Sequence, residues 1–162
     1  MTGLPARLVR LSTRAVLALW WGGLTFYALV VVPIGAEVLG NHTEQGFITQ
    51  RVSQWLNALG ALAAVLTLPG AIRRRATLVR LAWLLMAAAQ GMLFVLHPWL
   101  DRYLDARAHE VLEAGAFYAL HRGYLLVTAV QWVGVSLLLW LGADADRAPD
   151  AGATGKPGPT PG

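Results

Sequence analysis

His121, Tyr124, Thr128 and Gln131 interrupt an apolar run that extends from about Gly115 to Gly142. At 100° per residue on a helix these four fall within a sector of roughly 80°. A run of this length crosses a bilayer, where polar side chains are costly unless they face protein or a wet cavity. The spacing therefore predicts a polar stripe turned toward neighbouring helices. His97, near the end of an earlier apolar run, is predicted to sit at a similar depth on an antiparallel neighbour. Two facing imidazoles ligate haem iron; with a carboxylate such as Glu37 they hold a divalent metal. The candidate ligand-binding set is His97, His121, Tyr124, Gln131, Arg51 and Arg122, and the candidate metal set is His97, His121 and Glu37.

Each of these residues also has a plainer reading. A histidine at the end of a span bonds a backbone carbonyl or sits among headgroups, and Pro98 marks a bend beside His97. Arg51 and Arg122, near the membrane boundary, can snorkel to headgroups or pair with Glu37, Glu44 or Glu113. Gln54, Asn57, Gln90 and Gln131 are simply explained as interhelical hydrogen-bond partners. His42 falls in a hydrophilic turn. No HxxxH, HExxH or ExxH pattern occurs. No Ser–His–Asp arrangement or nucleophile motif occurs either, so binding is favoured over catalysis.

The elements that must position these groups follow from composition. The chain has 162 residues, 56% of them hydrophobic and 14% charged, with a mean hydropathy of +0.51. A soluble domain of this length could not cover so much apolar surface. The absence of cysteine removes disulfides, thiolate metal sites and thiol catalysis. No nucleic-acid signature accompanies the basic residues, so no nucleic-acid partner is expected.

Four spans are predicted, at about 15–39, 50–72, 77–100 and 115–142, forming an all-α, up-down-up-down four-helix bundle. Residues 1–14 read as a basic leader, and residues 143–162, rich in Ala, Gly, Pro and Asp, as a disordered tail. The first run is too long for a signal-peptide core, so it is expected to remain as a span. In it Phe26, Val30, Pro33 and Glu37 follow one face. Gln50, Gln54 and Asn57 do the same in the second span, as do Gln90 and His97 in the third. The connector 101–114 has an amphipathic pattern that predicts a helix on the membrane surface, with His109, Glu110 and Glu113 on its solvated face.

Arg7, Arg10, Arg14, Arg73, Arg74, Arg75, Arg80, Arg147 and Lys156 collect on one side of these spans. Arg51, Arg102, Arg107 and Arg122 lie on the other. The positive-inside rule then puts both termini in the cytoplasm and all four histidines toward the outer face.

The strings Trp20 to Tyr27 (WWGGLTFY), Val30 to Pro33 (VVVP), Gln45 to Gln50 (QGFITQ), Trp55 to Asn57 (WLN) and Phe117 to His121 (FYALH), with Gln131 and Trp132, resemble uncharacterised bacterial four-span inner-membrane proteins. The resemblance covers about Leu17 to Trp140. It implies topology and a bacterial inner-membrane location, and no activity. The expectation is a multi-pass protein in contact with the lipid bilayer, with a homo-oligomer or another membrane protein as possible partner. Its function is read as binding haem b or a divalent metal in the outer half of the bundle. The alternative is a non-catalytic structural or assembly subunit of a membrane complex.

Overall fold

Pro33 shapes the first span. It has no N–H to donate to the carbonyl of Leu29, and its ring crowds that carbonyl. In the computed structural model, which describes residues 3–73, 76–105, 107–108 and 110–147, the helix widens just before it. The N–H of Val32 donates to Tyr27 O, five residues back. The first span is thus α1 (Leu4–Phe26), a π turn (Tyr27–Val31) and α2 (Val32–Leu39). Helix backbone already begins at Leu4, inside the stretch read as a basic leader, with Pro5 in the first turn where its missing N–H costs nothing.

Gly40 ends α2 in the left-handed conformation, φ 56°, and its N–H reaches Ala36 O at 3.2 Å. Asn41 then caps α3 (His42–Arg73), its Oδ1 accepting from the Thr43 N–H at 2.9 Å. The α4 helix covers Thr77–Asp101 and α5 covers Ala114–Arg147. Pro98 lies within α4, which continues to Asp101. Helix α5 carries five residues past the predicted start of the tail; residues 148–162 of that tail lie outside the described residues.

The connector corrects the expectation of a surface helix. Leu104–Asp105 (β1) and Glu110–Val111 (β2) form a short antiparallel ladder, Leu104 opposite Val111 and Asp105 opposite Glu110. The side chain of Asp105 decides this locally. Its Oδ1 accepts from the N–H groups of Arg107 at 2.8 Å and Ala108 at 3.1 Å, closing a turn that competes with helix. Tyr103, Leu104 and Val111 then turn their apolar faces onto the end of the bundle. His109 lies outside the described residues.

Helix α4 packs most extensively on α5, then α3 on α4 and α1 on α3; α1 meets α5 more sparingly. One buried cluster holds Leu17, Trp20, Leu24, Ala63, Ala64, Met86 and Val135; a second, nearer the connector, holds Leu93, Leu100, Phe117 and Tyr124. Close approach depends on two glycines. A Cβ at Gly60 would collide with Gln90 Oε1 and lie 2.7 Å from Trp20 Nε1, and one at Gly134 would lie 3.2 Å from the Met86 backbone nitrogen. The bare surface at Gly60 exposes the Leu56 carbonyl one turn back, and Trp20 Nε1 donates to it at 2.8 Å.

Leu8–Leu39, Thr43–Arg73, Thr77–Asp101 and Ala114–Gly142 are each long and apolar enough to cross a membrane. Their outward faces carry large exposed aliphatics, among them Leu19, Leu29, Val65, Leu78, Val95 and Leu126. That much contiguous apolar surface is what a bilayer covers, and the fold is that of an all-α, multi-pass membrane four-helix bundle.

Candidate functional site

The π turn sets the first wall of the site. Each extra residue in a helical turn rotates the downstream face by about 100°. The 3.6-residue stripe predicted through Phe26, Val30, Pro33 and Glu37 does not hold: all four are exposed, Phe26 already ahead of the turn. Tyr27, one position on, turns inward, followed after the π turn by half-buried Val32, Gly35 and Ala36. The Gln45 side-chain amide donates to Val32 O at 2.6 Å, tying this bent segment to α3.

Between these elements, at the connector end, lies a cavity of about 510 Å³. Tyr27 and Val32 line it from the first span, and Thr43, Gln45, Gly46, Thr49, Gln50 and Ser53 from α3. From α4 and the connector come His97, Leu100, Asp101, Leu104 and Val111; α5 supplies Phe117, Tyr118, His121, Tyr124 and Leu125. Among the described residues no Lys or Arg lines the cavity, and Asp101 is its one carboxylate.

Its polar side is a chain of contacts across three helices. Gln50 Nε2 donates to Asp101 Oδ1 at 2.7 Å. The other carboxylate oxygen, Oδ2, is 3.8 Å from Nε2 of His97, one helical turn earlier. The His97 ring lies against Tyr124, centroids 6.0 Å apart. Tyr124 in turn accepts from Asn57 Nδ2 at its hydroxyl, 2.9 Å. His121 is half-buried and stacked on Phe117, with centroids 5.7 Å apart and planes 11° from parallel. Two buried polar atoms on the lining residues make no well-formed hydrogen bond among the described residues: Tyr27 Oη, whose neighbour is the Thr49 side chain, and His97 Nε2, with Asp101 at 3.8 Å. A buried donor or acceptor left unmade costs about 1–3 kcal/mol.

The structure thus brings His97, His121 and Tyr124 to one cavity and separates the rest of the predicted set. Gln131 is buried deeper, where its Nε2 donates to Gln90 Oε1 at 2.6 Å, and it does not line the cavity. Arg51, Arg122 and Glu37 are exposed and off the wall. Arg122 faces out because it is one residue, about 100°, beyond His121. Glu37 faces out because the π turn shifts its register. Among the described residues no three His, Asp or Glu side chains gather as a metal site. Of the set His97, His121 and Glu37, only the two histidines line the cavity. Gln54, aligned with Gln50 and Asn57 in sequence, is exposed as well. The side chain of His42 lies outside the described residues.

Sequence reasoning missed Tyr27 and Asp101 as site residues. Asp101 was legible: it is four residues after His97, one turn along the same helix face. Tyr27 was legible too: seven residues after buried Trp20, it falls on the same face of α1. No protein-family model, curated protein or solved structure matches this chain.

Proposed function

We propose that this chain is a multi-pass protein of a bacterial inner membrane, both termini cytoplasmic, that binds a small molecule in the cavity at its connector end. The observation that carries this reading is a pair of buried polar atoms, Tyr27 Oη and His97 Nε2, that make no well-formed hydrogen bond among the described residues and lie on the wall of one mainly apolar cavity. Sites for small ligands have this constitution: apolar lining, a few placed polar groups, a volume of roughly 300–1,000 Å³. A ligand that hydrogen-bonds both atoms offsets their desolvation. Haem b is the reading in which His97 or His121 supplies an axial nitrogen.

The structural-subunit reading is favoured by a different observation. Gln131 donates to Gln90 Oε1, and Asn57 to the Tyr124 hydroxyl, across helices, although Gln90 Nε2 makes no well-formed hydrogen bond among the described residues. These pairs serve association of the spans whatever the cavity holds.

The test is small-molecule content of protein purified in mild detergent, by organic extraction with mass spectrometry, absorption spectroscopy and metal analysis. The expected result is one small molecule retained by the wild type and by Arg122→Ala, and lost from the double variant Tyr27→Phe, His97→Leu. A Soret band identifies haem. Wild-type protein with no bound molecule, and a double variant that is merely more heat-stable, overturns the binding reading in favour of the structural one.

A further inference from the structure

We propose that the cavity is entered sideways from the hydrocarbon, between the first and fourth spans, and that its ligand is a long-chain amphiphile with an uncharged, oxygen-bearing head. This rests on the small-molecule reading above and names the ligand class.

The seam between these spans is closed in one half and open in the other. On the side of the seam away from the connector, Trp21 stacks on Trp132 with centroids 5.5 Å apart. Trp21 Nε1 donates to Ser136 Oγ and Trp132 Nε1 to Thr25 Oγ1, each at 2.8 Å. Beyond Thr25 the π turn begins, and the first span leans onto α3, where Gln45 holds Val32 O. No comparable packing joins the π turn or α2 to α5 among the described residues. Tyr27 and Val32 therefore face Phe117, Tyr118 and Leu125 across the cavity rather than touching through a packed seam. Leu125 and Tyr118 line the cavity and yet are 51% and 47% exposed, which places them at its edge.

The other route, from the connector end, is covered. Leu104 and Val111, paired in the β1–β2 ladder, line the cavity from that side, and both pack onto the Leu93–Tyr124 cluster. With the end lidded and the flank open, the approach lies through acyl chains.

The walls select the head. Among the described residues the lining has no Lys or Arg and one carboxylate, Asp101, so a phosphate would meet like charge without a counter-ion. Hydroxyls of Tyr27 and Ser53 and the imidazole of His97 suit a neutral carbonyl or hydroxyl. The tail then lies along Val32, Phe117 and Leu125 and leaves through the open flank.

The test uses wild-type protein in phosphatidylcholine nanodiscs with two photoactivatable probes carrying the same diazirine acyl chain, a diacylglycerol and a phosphatidic acid, with crosslinked residues mapped by mass spectrometry. The diacylglycerol is expected to label residues 27–32 and 118–125. Leu125→Trp, which narrows the opening, should reduce that labelling roughly tenfold, while Leu126→Trp, on the exposed neighbouring position, should not. Equal labelling of the seam by phosphatidic acid overturns the uncharged head. Seam labelling indifferent to Leu125→Trp, or no seam labelling, overturns lateral entry. If a water-soluble molecule still co-purifies and is lost from Tyr27→Phe, His97→Leu, the cavity remains a binding site and only the lateral amphiphile fails. If nothing co-purifies and nothing labels, both readings fall.

Discussion

Asn57 donates to the Tyr124 hydroxyl, and Gln131 to Gln90, in surroundings nearly closed to solvent. Removing one partner takes a hydrogen bond from a side chain that stays buried. Asn57→Ala and Gln131→Leu should each lower stability by about 1–2 kcal/mol, read as a fall in thermal midpoint in detergent. Arg122→Ala, at an exposed position, should move it by less than about 0.5 kcal/mol. Tyr27→Phe is expected to act in the opposite direction. Among the described residues its hydroxyl makes no well-formed hydrogen bond, so deletion should leave the protein equally stable or up to about 1 kcal/mol more stable, while ligand retention falls. A buried group whose removal helps folding and harms binding is held there for the ligand. A loss of stability in Tyr27→Phe comparable to that of Asn57→Ala would show instead that the hydroxyl is satisfied within the fold.

Among the elements, the helix crossing at Gly60 is the tightest point. Gly60→Ala should cost about 1–3 kcal/mol, because the added methyl meets Gln90 and Trp20 where neither can withdraw without breaking its bond. Gly22→Ala faces open space on α1 and should be neutral or stabilising by up to about 1 kcal/mol from helix propensity. Thermal unfolding of the two variants side by side separates packing from propensity. The connector hairpin carries a pH dependence of its own. Backbone N–H groups of Ala108 and then Arg107 hold the Asp105 carboxyl below its ordinary value. A depressed carboxylate contributes to the turn above its unfolded pKa, and that contribution is lost as pH falls through the lower folded value. The Arg107 and Ala108 amide resonances should therefore hold steady down through the ordinary aspartate range and shift only below it. In Asp105→Asn, which keeps an acceptor without the carboxyl proton, this transition should be absent.

At the scale of the whole molecule, the outward faces test the bilayer assignment directly. Leu126 is 67% exposed near the middle of the fourth span. In water, lysine there would change little. In hydrocarbon it should cost about 2.5–3.5 kcal/mol, seen as reduced insertion or loss from the membrane fraction. An unaffected Leu126→Lys protein would argue against lipid at that face. The sequence by itself determined that four apolar stretches cross a membrane as helices, since span length and hydropathy are local and hydrocarbon leaves the backbone no other way to satisfy its polar groups. It also determined that Gln131 must find a partner, for the same reason, and Gln90 is that partner. Which side chains share a cavity was decided only by tertiary structure. One proline-driven π turn resets the face beyond Tyr27 and leaves Glu37 outside, and one carboxylate bonding two amides makes a lid of a stretch whose pattern reads as helix. Periodicity presumes an unbroken helix. A single displaced hydrogen bond resets every face beyond it, and only the packing of the neighbouring spans determines where the reset face points.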